Sequence, residues 1–377
     1  MSKYLAPFFL LLSFNCYAQF TITGRVVDNM GKHPLSLAVA FLNKTGLSTT
    51  TNAEGIFSLK NVPAGHYRLL IDMVGYKSYE TNLEVSDNIQ LNDIELRTKV
   101  DSLNNVTIKR KAIISPYYYT FKNDFLGSTL FARQCKILNP WAIHFYNVNM
   151  NRDYSAKSDE FIEVENDALG YKIKILLNFF TRDYKNDQTD YGGESYFEEI
   201  TGTPAEEKTW RKNRMECYHG SVMQFLRAVL GGTTLQQGFV IKKAFLKNNP
   251  YYDANEIYDD LMDDKYAYKI KNAVIHEQDI VARTNKPGLF ALTRDSSDST
   301  SCLYIHYHEP GRSDTLSSRT RTRWIWSTTD CFILFKKPIM IFDYNGIINT
   351  RENVKFIGFL EEGRIANPLP PDFEPTE

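Results

Sequence analysis

The chain is short of several things, and each shortage excludes a class of chemistry. Only five of its 377 residues are cysteine and seven are histidine. No two cysteines stand close enough for a CxxC zinc or redox motif. HExxH, GxSxG, GxGxxG and the Walker loop are absent, and with them the usual metallopeptidase, serine-hydrolase and nucleotide signatures. Net charge is nearly nil, formally −1, so no whole-chain attraction to nucleic acid or an anionic membrane operates. Beyond residue 18 no apolar run approaches the roughly 20 residues that a spanning helix needs. Nothing in these patterns calls for a cofactor.

Aromatic side chains are abundant, with 23 Tyr and 24 Phe, and a hydrophobic content of 43% is enough to fill real cores. Broad aromatic side chains favour strands, where they pack on a pleated surface. Residues 1–18 read as an export leader: Lys3 is the n-region, Leu5 to Phe14 the apolar h-region, and Cys16-Tyr17-Ala18 a small-x-small cleavage site. A lipidated Cys16 is the competing reading, and bulky Phe14 and Asn15 make it a poor lipobox. Without Cys16, four cysteines remain: Cys135, Cys217, Cys302 and Cys331. In an oxidising compartment they can pair, and Cys302–Cys331 is the candidate disulfide if strands "CLYIHYHE" and "CFILFKK" are neighbours. The alternative is that each is a small buried hydrophobe.

From Phe20 the chain breaks into short strands with regular turn signals, the mark of a β-sandwich. "FTITGRVVD" alternates Ile22, Gly24 and Val26 against Thr21, Thr23 and Arg25. Asn52 to Gly55 and Pro63-Ala64-Gly65 are turns. Phe57, Leu59, Tyr67, Leu69, Ile71 and Val74 are the expected core. "ITGRVVD", "HPLSLAVAFL", "TTTNAEGIFSL", "VPAGHYRLLIDMVGYKS" and "LNDIEL" come in an order and spacing that resemble the carboxypeptidase-regulatory-like domain. That domain is a transthyretin-like β-sandwich common in exported Bacteroidetes proteins. The resemblance covers 20–98 and implies a non-catalytic accessory module. It also implies a possible link to TonB-dependent transporters, which often start with the same module.

The polar stretch "KVDSLNNVTIKRK" at 99–111 reads as a linker. Residues 112–377 read as a larger antiparallel β-rich domain with helices near 204–231. Thr203-Pro204-Ala205-Glu206 supplies an N-cap, Pro at N1 and an acid at N3. Val222, Phe225, Leu226, Val229 and Leu230 make one apolar helical face, stopped at Gly231. Asn345-Gly346 is a hairpin turn. "NPLPPDFEPTE" is a Pro-rich extended tail. The stretches "ALGYKIKILLNFF", "YGGESYFEEI" and "WRKNRMECYHGSVMQFLRAVLGG" resemble a β-rich region that follows the regulatory-like domain in many exported Bacteroidetes proteins. That region carries no assigned activity.

Candidate sites are few. His306-Tyr307-His308-Glu309 is the nearest approach to a ligand cluster, because His306 and His308 share a strand face. The plainer reading is a solvated Tyr/His-rich face. Glu194, Glu198 and Glu199 could serve as paired carboxylates, as could the acids of "NEIYDDLMDDKY", most simply a solvated run. Ser221 reads as a helix cap rather than a nucleophile. In "SSRTRTRWIWS", Arg319, Arg321 and Arg323 would line one strand face and suit an anionic partner, or protect an exposed edge. The expectation is an exported, mainly β, two-domain envelope protein with a binding or assembly role, located in the periplasm or at the outer membrane. Its ligand or partner is an envelope protein or glycan, not nucleic acid. The alternatives are an envelope hydrolase on peptides or glycans, and an accessory to TonB-dependent uptake.

Overall fold

The computed structural model describes residues 19–73, 75–98, 115–146, 153–184, 188–248, 266–286, 288–294, 301–311, 330–358, 360, 365 and 367–375. The expected leader, the 99–111 linker, Val74, the acidic run and the arginine strand lie outside them. Among the described residues the fold is mainly β, with several antiparallel sheets and three α-helices. No described helix is long and apolar enough to cross a membrane, which leaves strand-built spans unaddressed.

The first unit is the expected sandwich. Gln19–Asp28 pairs antiparallel with Ile56–Pro63 and parallel with the short strands Ile89–Gln90 and Ile94–Leu96. The facing sheet runs Ser48–Thr50, Val39–Leu42, Gly65–Asp72, Tyr79–Val85, all antiparallel. Ile22, Val26, Phe57 and Leu59 from one sheet meet Ala40, Leu42, Leu69 and Ile71 from the other in a closed core. Pro63-Ala64-Gly65 is the corner where the chain changes sheet, between Ile56–Pro63 and Gly65–Asp72. Gly55 closes its turn at φ +76, and a Cβ there would sit 2.5 Å from the Val26 carbonyl oxygen. Only glycine fits.

The second unit is built around Tyr171–Asp183, a 13-residue strand. Gln188–Glu199 pairs along one side of it, and Ile162–Asn166 and Tyr154–Ser158 share the other. Its inner face carries Tyr171, Ile173, Ile175, Leu177 and Phe180 into a core with helix α1 (Tyr118–Leu126). A second sheet orders Tyr266–Val274, Phe239–Asn248, Ser301–Tyr307, Asp330–Phe335, Val354–Gly358. It shares a further core with the small sheet that holds Leu289–Thr293 and Ile339–Asp343.

Helices α2 (Pro204–Tyr218) and α3 (Val222–Gly231) sit where the sequence places them. Thr203 and Glu206 form a reciprocal capping box at the start of α2. Ser221 accepts from the Gln224 amide at the start of α3, and Gly232 ends that helix in the left-handed region. Most of α2 up to Glu216 is exposed, but it buries Trp210, and Tyr218 at its end is buried too. Its Trp210 Nε1 donates to the Asp167 carbonyl, Asn213 to that of Ala168 and Arg214 to that of Leu169. The helix thereby satisfies the carbonyls of the turn that leads into the long strand. Met223 of α3 joins the first core of this unit while Phe225, Leu226 and Val229 join the second, so α3 ties the two together.

The candidate disulfide is corrected. The two strands are neighbours, but the register sets Cys331 opposite Ile305 rather than Cys302. Cys331 faces the inner core, whereas Cys302 packs with Ala244 and Phe332 on the other face of the sheet. Strand alternation therefore points the two sulfurs apart, and no disulfide joins them.

Candidate functional site

The chain Leu42–Gly46 leaves the sandwich as a tight turn. The Thr45 hydroxyl donates to the Leu42 carbonyl and accepts from the Leu47 amide. Lys44 stands in the left-handed region at φ +65, an uncommon place for a side-chain-bearing residue. The turn docks on the edge of Gln188–Glu199. The Lys44 amide donates to the Ser195 carbonyl, and the Phe197 amide donates to Thr45 at 3.0 Å. The Ser195 amide donates to Asn43 Oδ1 at 2.8 Å. The sandwich thus covers a strand edge that would otherwise present unpaired amides and carbonyls.

An apolar seam lies beside these bonds. Phe41 and Leu70 point away from the sandwich core, yet both are buried, against Tyr196 and Phe161. The Phe41 and Tyr196 ring centroids are 4.4 Å apart. Alternation along Val39–Leu42 and Gly65–Asp72 gives this sheet two buried faces, one in the sandwich and one at the junction.

Ionisable groups gather at the same junction. Arg68 pairs with Glu194, whose side chain keeps only 6% of its surface exposed. Desolvation pulls the Lys44 amine below the usual lysine range although the residue as a whole stays exposed; Glu194 and Asp343 offset part of that effect. Burial pushes the Asp343 carboxyl up to about 6, against two backbone hydrogen bonds from Ile347 and Asn345 and the charges of Arg227 and Lys44. Tyr67 of the sandwich meets Tyr344 hydroxyl to hydroxyl at 2.9 Å, and desolvation lifts the Tyr67 phenol above its normal range.

A cleft of about 580 Å³ opens where the sandwich, α2 and the C-terminal segment converge. Gly46 comes from the sandwich, Tyr171 and Phe197 from the long hairpin, Arg214 from α2, and Asp372 and Phe373 from the segment after residue 367. Asp372 Oδ1 accepts the Gly46 amide at 2.9 Å. Arg214 lies over the Tyr171 ring at 3.9 Å and pairs with Glu199 at 2.8 Å. The wall is mixed in charge, which suits hydrogen bonding to a polar ligand or a protein surface.

Of the described residues singled out from sequence, Glu198 and Glu199 line this cleft, and Glu194, Ser221, His306, His308 and Glu309 do not. Arg319, Arg321 and Arg323 fall outside the described residues. His306 Nδ1 lies 2.8 Å from Asp330 Oδ1, which also accepts the Tyr304 hydroxyl at 2.6 Å. Glu309 lies 3.9 Å from His219 Nδ1. Among the described residues no group of three or more His, Cys, Asp or Glu could hold a metal ion. Of the weighed carboxylates, Glu194 answers Arg68, Glu198 answers Lys174 and Glu199 answers Arg214. Lys44, Asp343 and Asp372 went unnoticed in the sequence, because nothing local marks two distant turns and a tail as partners.

Residues 22–108 match the family model of the CarboxypepD_reg-like domain, and further β-rich structure follows. No curated protein matches the chain. Among solved structures it is similar to a type II cohesin–X-dockerin complex from Acetivibrio cellulolyticus, at 22% identity, 20% of this chain, 52% of that chain and a TM-score of 0.18. It is also similar to the group B streptococcus pilus 2b backbone protein, at 19% identity, 22% of this chain, 42% of that chain and a TM-score of 0.19. A third is 3-chlorocatechol 1,2-dioxygenase from Rhodococcus opacus 1CP, at 14% identity, 23% of this chain, 63% of that chain and a TM-score of 0.19. The chain thus spans between about two fifths and two thirds of these structures' lengths.

Proposed function

We propose that this is an exported cell-envelope protein with a non-catalytic binding or assembly role, exercised at the junction between the sandwich and the rest of the chain. The observation that carries the reading is the cleft whose walls come from both units at once, with Gly46 on one side and Arg214 and Asp372 on the other. A sandwich that covers a strand edge and buries Phe41 against Tyr196 is held in place rather than trailing on a tether. It can therefore present one rigid composite surface to a partner. The CarboxypepD_reg-like match at 22–108 supports an accessory role for that sandwich. The partner would be an envelope protein or glycan, and the site the periplasm or the outer membrane.

The test is envelope fractionation followed by cross-linked pulldown of the mature protein, run beside an Arg211→Glu variant. Arg211 is exposed on α2 and lines the cleft. A specific partner retained by the parent and lost by the variant is the expected result. Recovery of both only as a free periplasmic monomer would sink the reading.

A further inference from the structure

Arg227 of α3 holds two segments that lie far apart in the chain. Its Nη2 donates to the Pro371 carbonyl at 2.8 Å and its Nη1 to that of Phe373 at 2.9 Å. Its Nε donates to the Asn345 carbonyl at 3.0 Å. A guanidinium is a rigid planar fork, so the three bonds fix each segment's place relative to the other. Helix α3 is anchored in both cores of the second unit, which makes Arg227 a fixed point.

Each of the two segments carries a contact to the sandwich. The first is 367–373. The Thr129 hydroxyl donates to Asn367 Oδ1 at 2.9 Å, Leu369 is buried in the core beside α1, and the Phe373 amide donates to the Pro370 carbonyl at 2.9 Å to close a turn. That turn aims Asp372 at the sandwich, where its Oδ1 accepts the Gly46 amide at 2.9 Å. A Cβ on Gly46 would lie 3.0 Å from Asp372 Oδ2, so the glycine permits this close approach. The second segment is the 343–347 turn. Tyr344, next to Asn345, meets the Tyr67 hydroxyl at 2.9 Å, and a Cβ on Gly65 would lie 3.0 Å from the Tyr344 ring.

We infer that Arg227 is the clasp of a two-armed strap that sets how the sandwich sits on the second unit. While Arg227 holds its three carbonyls, Asp372 and Tyr344 grip the sandwich and the composite cleft is formed. When it releases them, both grips loosen together and the cleft opens. Gly46 and Asp372 are walls of that cleft, so the clasp governs its shape from outside it. As regulation of the cleft, this device rests on the binding role proposed above. As a hinge of the fold, it stands on the exchange measurement alone.

That measurement is amide hydrogen exchange on the full chain. The Lys44 and Phe197 amides bond across the junction and to neither arm. Arg227→Gln should speed their exchange by about tenfold or more, while Gln19–Asp28 and α3 keep their protection. Arg227→Lys keeps the charge but not the fork, and should behave likewise. Asp372→Ala/Tyr344→Phe cuts both arms at the sandwich and leaves Arg227 with its carbonyls. It should speed the same amides, and adding Arg227→Gln should speed them no further. This double variant also decides the matter if Arg227→Gln does not fold. Parental exchange at Lys44 and Phe197 in the double variant or in Arg227→Lys overturns the clasp. So does an Arg227→Gln effect that adds in full to the double variant, or equal loss of protection in α3. No partner is needed, so the outcome is independent of the pulldown.

Discussion

Single residues at the junction report on its energetics. Asp343 holds the amides of Asn345 and Ile347, each at 3.0 Å, while burial pushes its carboxyl up to about 6. A folded-state value raised above the ordinary aspartate value of 3.8 means that folding favours the neutral acid. Its contribution is therefore greatest in acid and is lost as pH rises from about 4 through about 6. Asp343→Asn keeps an acceptor oxygen and removes the titration. The variant should match or exceed the parent in Tm at pH 7, and the difference between them should shrink on acidification to pH 4. A difference in Tm that does not change across that window would refute the assignment. The cysteines make a second residue-scale case. Burial pushes the thiols of Cys135, Cys217 and Cys302 up to about 12, so they are weak nucleophiles at neutral pH. With no bridge among the described cysteines, reductant should leave Tm unchanged, and non-reducing mass spectrometry after denaturing alkylation should find Cys302 and Cys331 both modified.

Elements were read well where a local device specifies them. The capping box of α2, the Ser221 cap of α3 and the Asn345-Gly346 turn follow from side chains within four residues of each other. Helix α1 is not legible from composition, because "YYTFKNDFL" is rich in β-favouring aromatics. Its helical signal is the spacing of Tyr118, Phe121 and Phe125 on one buried face, which composition overrode. Packing between elements also hangs on one glycine. At Gly170, φ is +67 and a Cβ would fall 2.3 Å from the Trp210 indole. Gly170→Ala should cost about 2–4 kcal/mol, from left-handed strain plus displacement of α2. Chemical denaturation measures this, and a cost under about 0.5 kcal/mol would show that α2 shifts freely.

Across the whole molecule, the decisive feature is that the sandwich is docked. Phe41→Ala opens a hole between the two units without touching the sandwich core. The variant should lose about 3–5 kcal/mol of junction packing. Hydrogen exchange should report it as lost protection at the Lys44 and Phe197 amides, with the sandwich strands still protected. Equal loss in Gln19–Asp28 would instead make the two units one cooperative body.

The sequence by itself determined the mainly β class, the first sandwich with its turns and core, and the helices near 204–231. Each of these rests on alternation, helical spacing or turn chemistry over a few residues. It also held a trace of the junction, since "VAFL" and "RLLID" are apolar on both strand faces where a solvated sandwich would alternate. Only the tertiary structure decided what covers that second face, which cysteines stay apart, and that a Pro-rich tail lies under Arg227. Those outcomes depend on register and on contacts between residues as distant as Gly46 and Asp372. No local pattern encodes such pairs, because their partners are set by how whole sheets and helices pack.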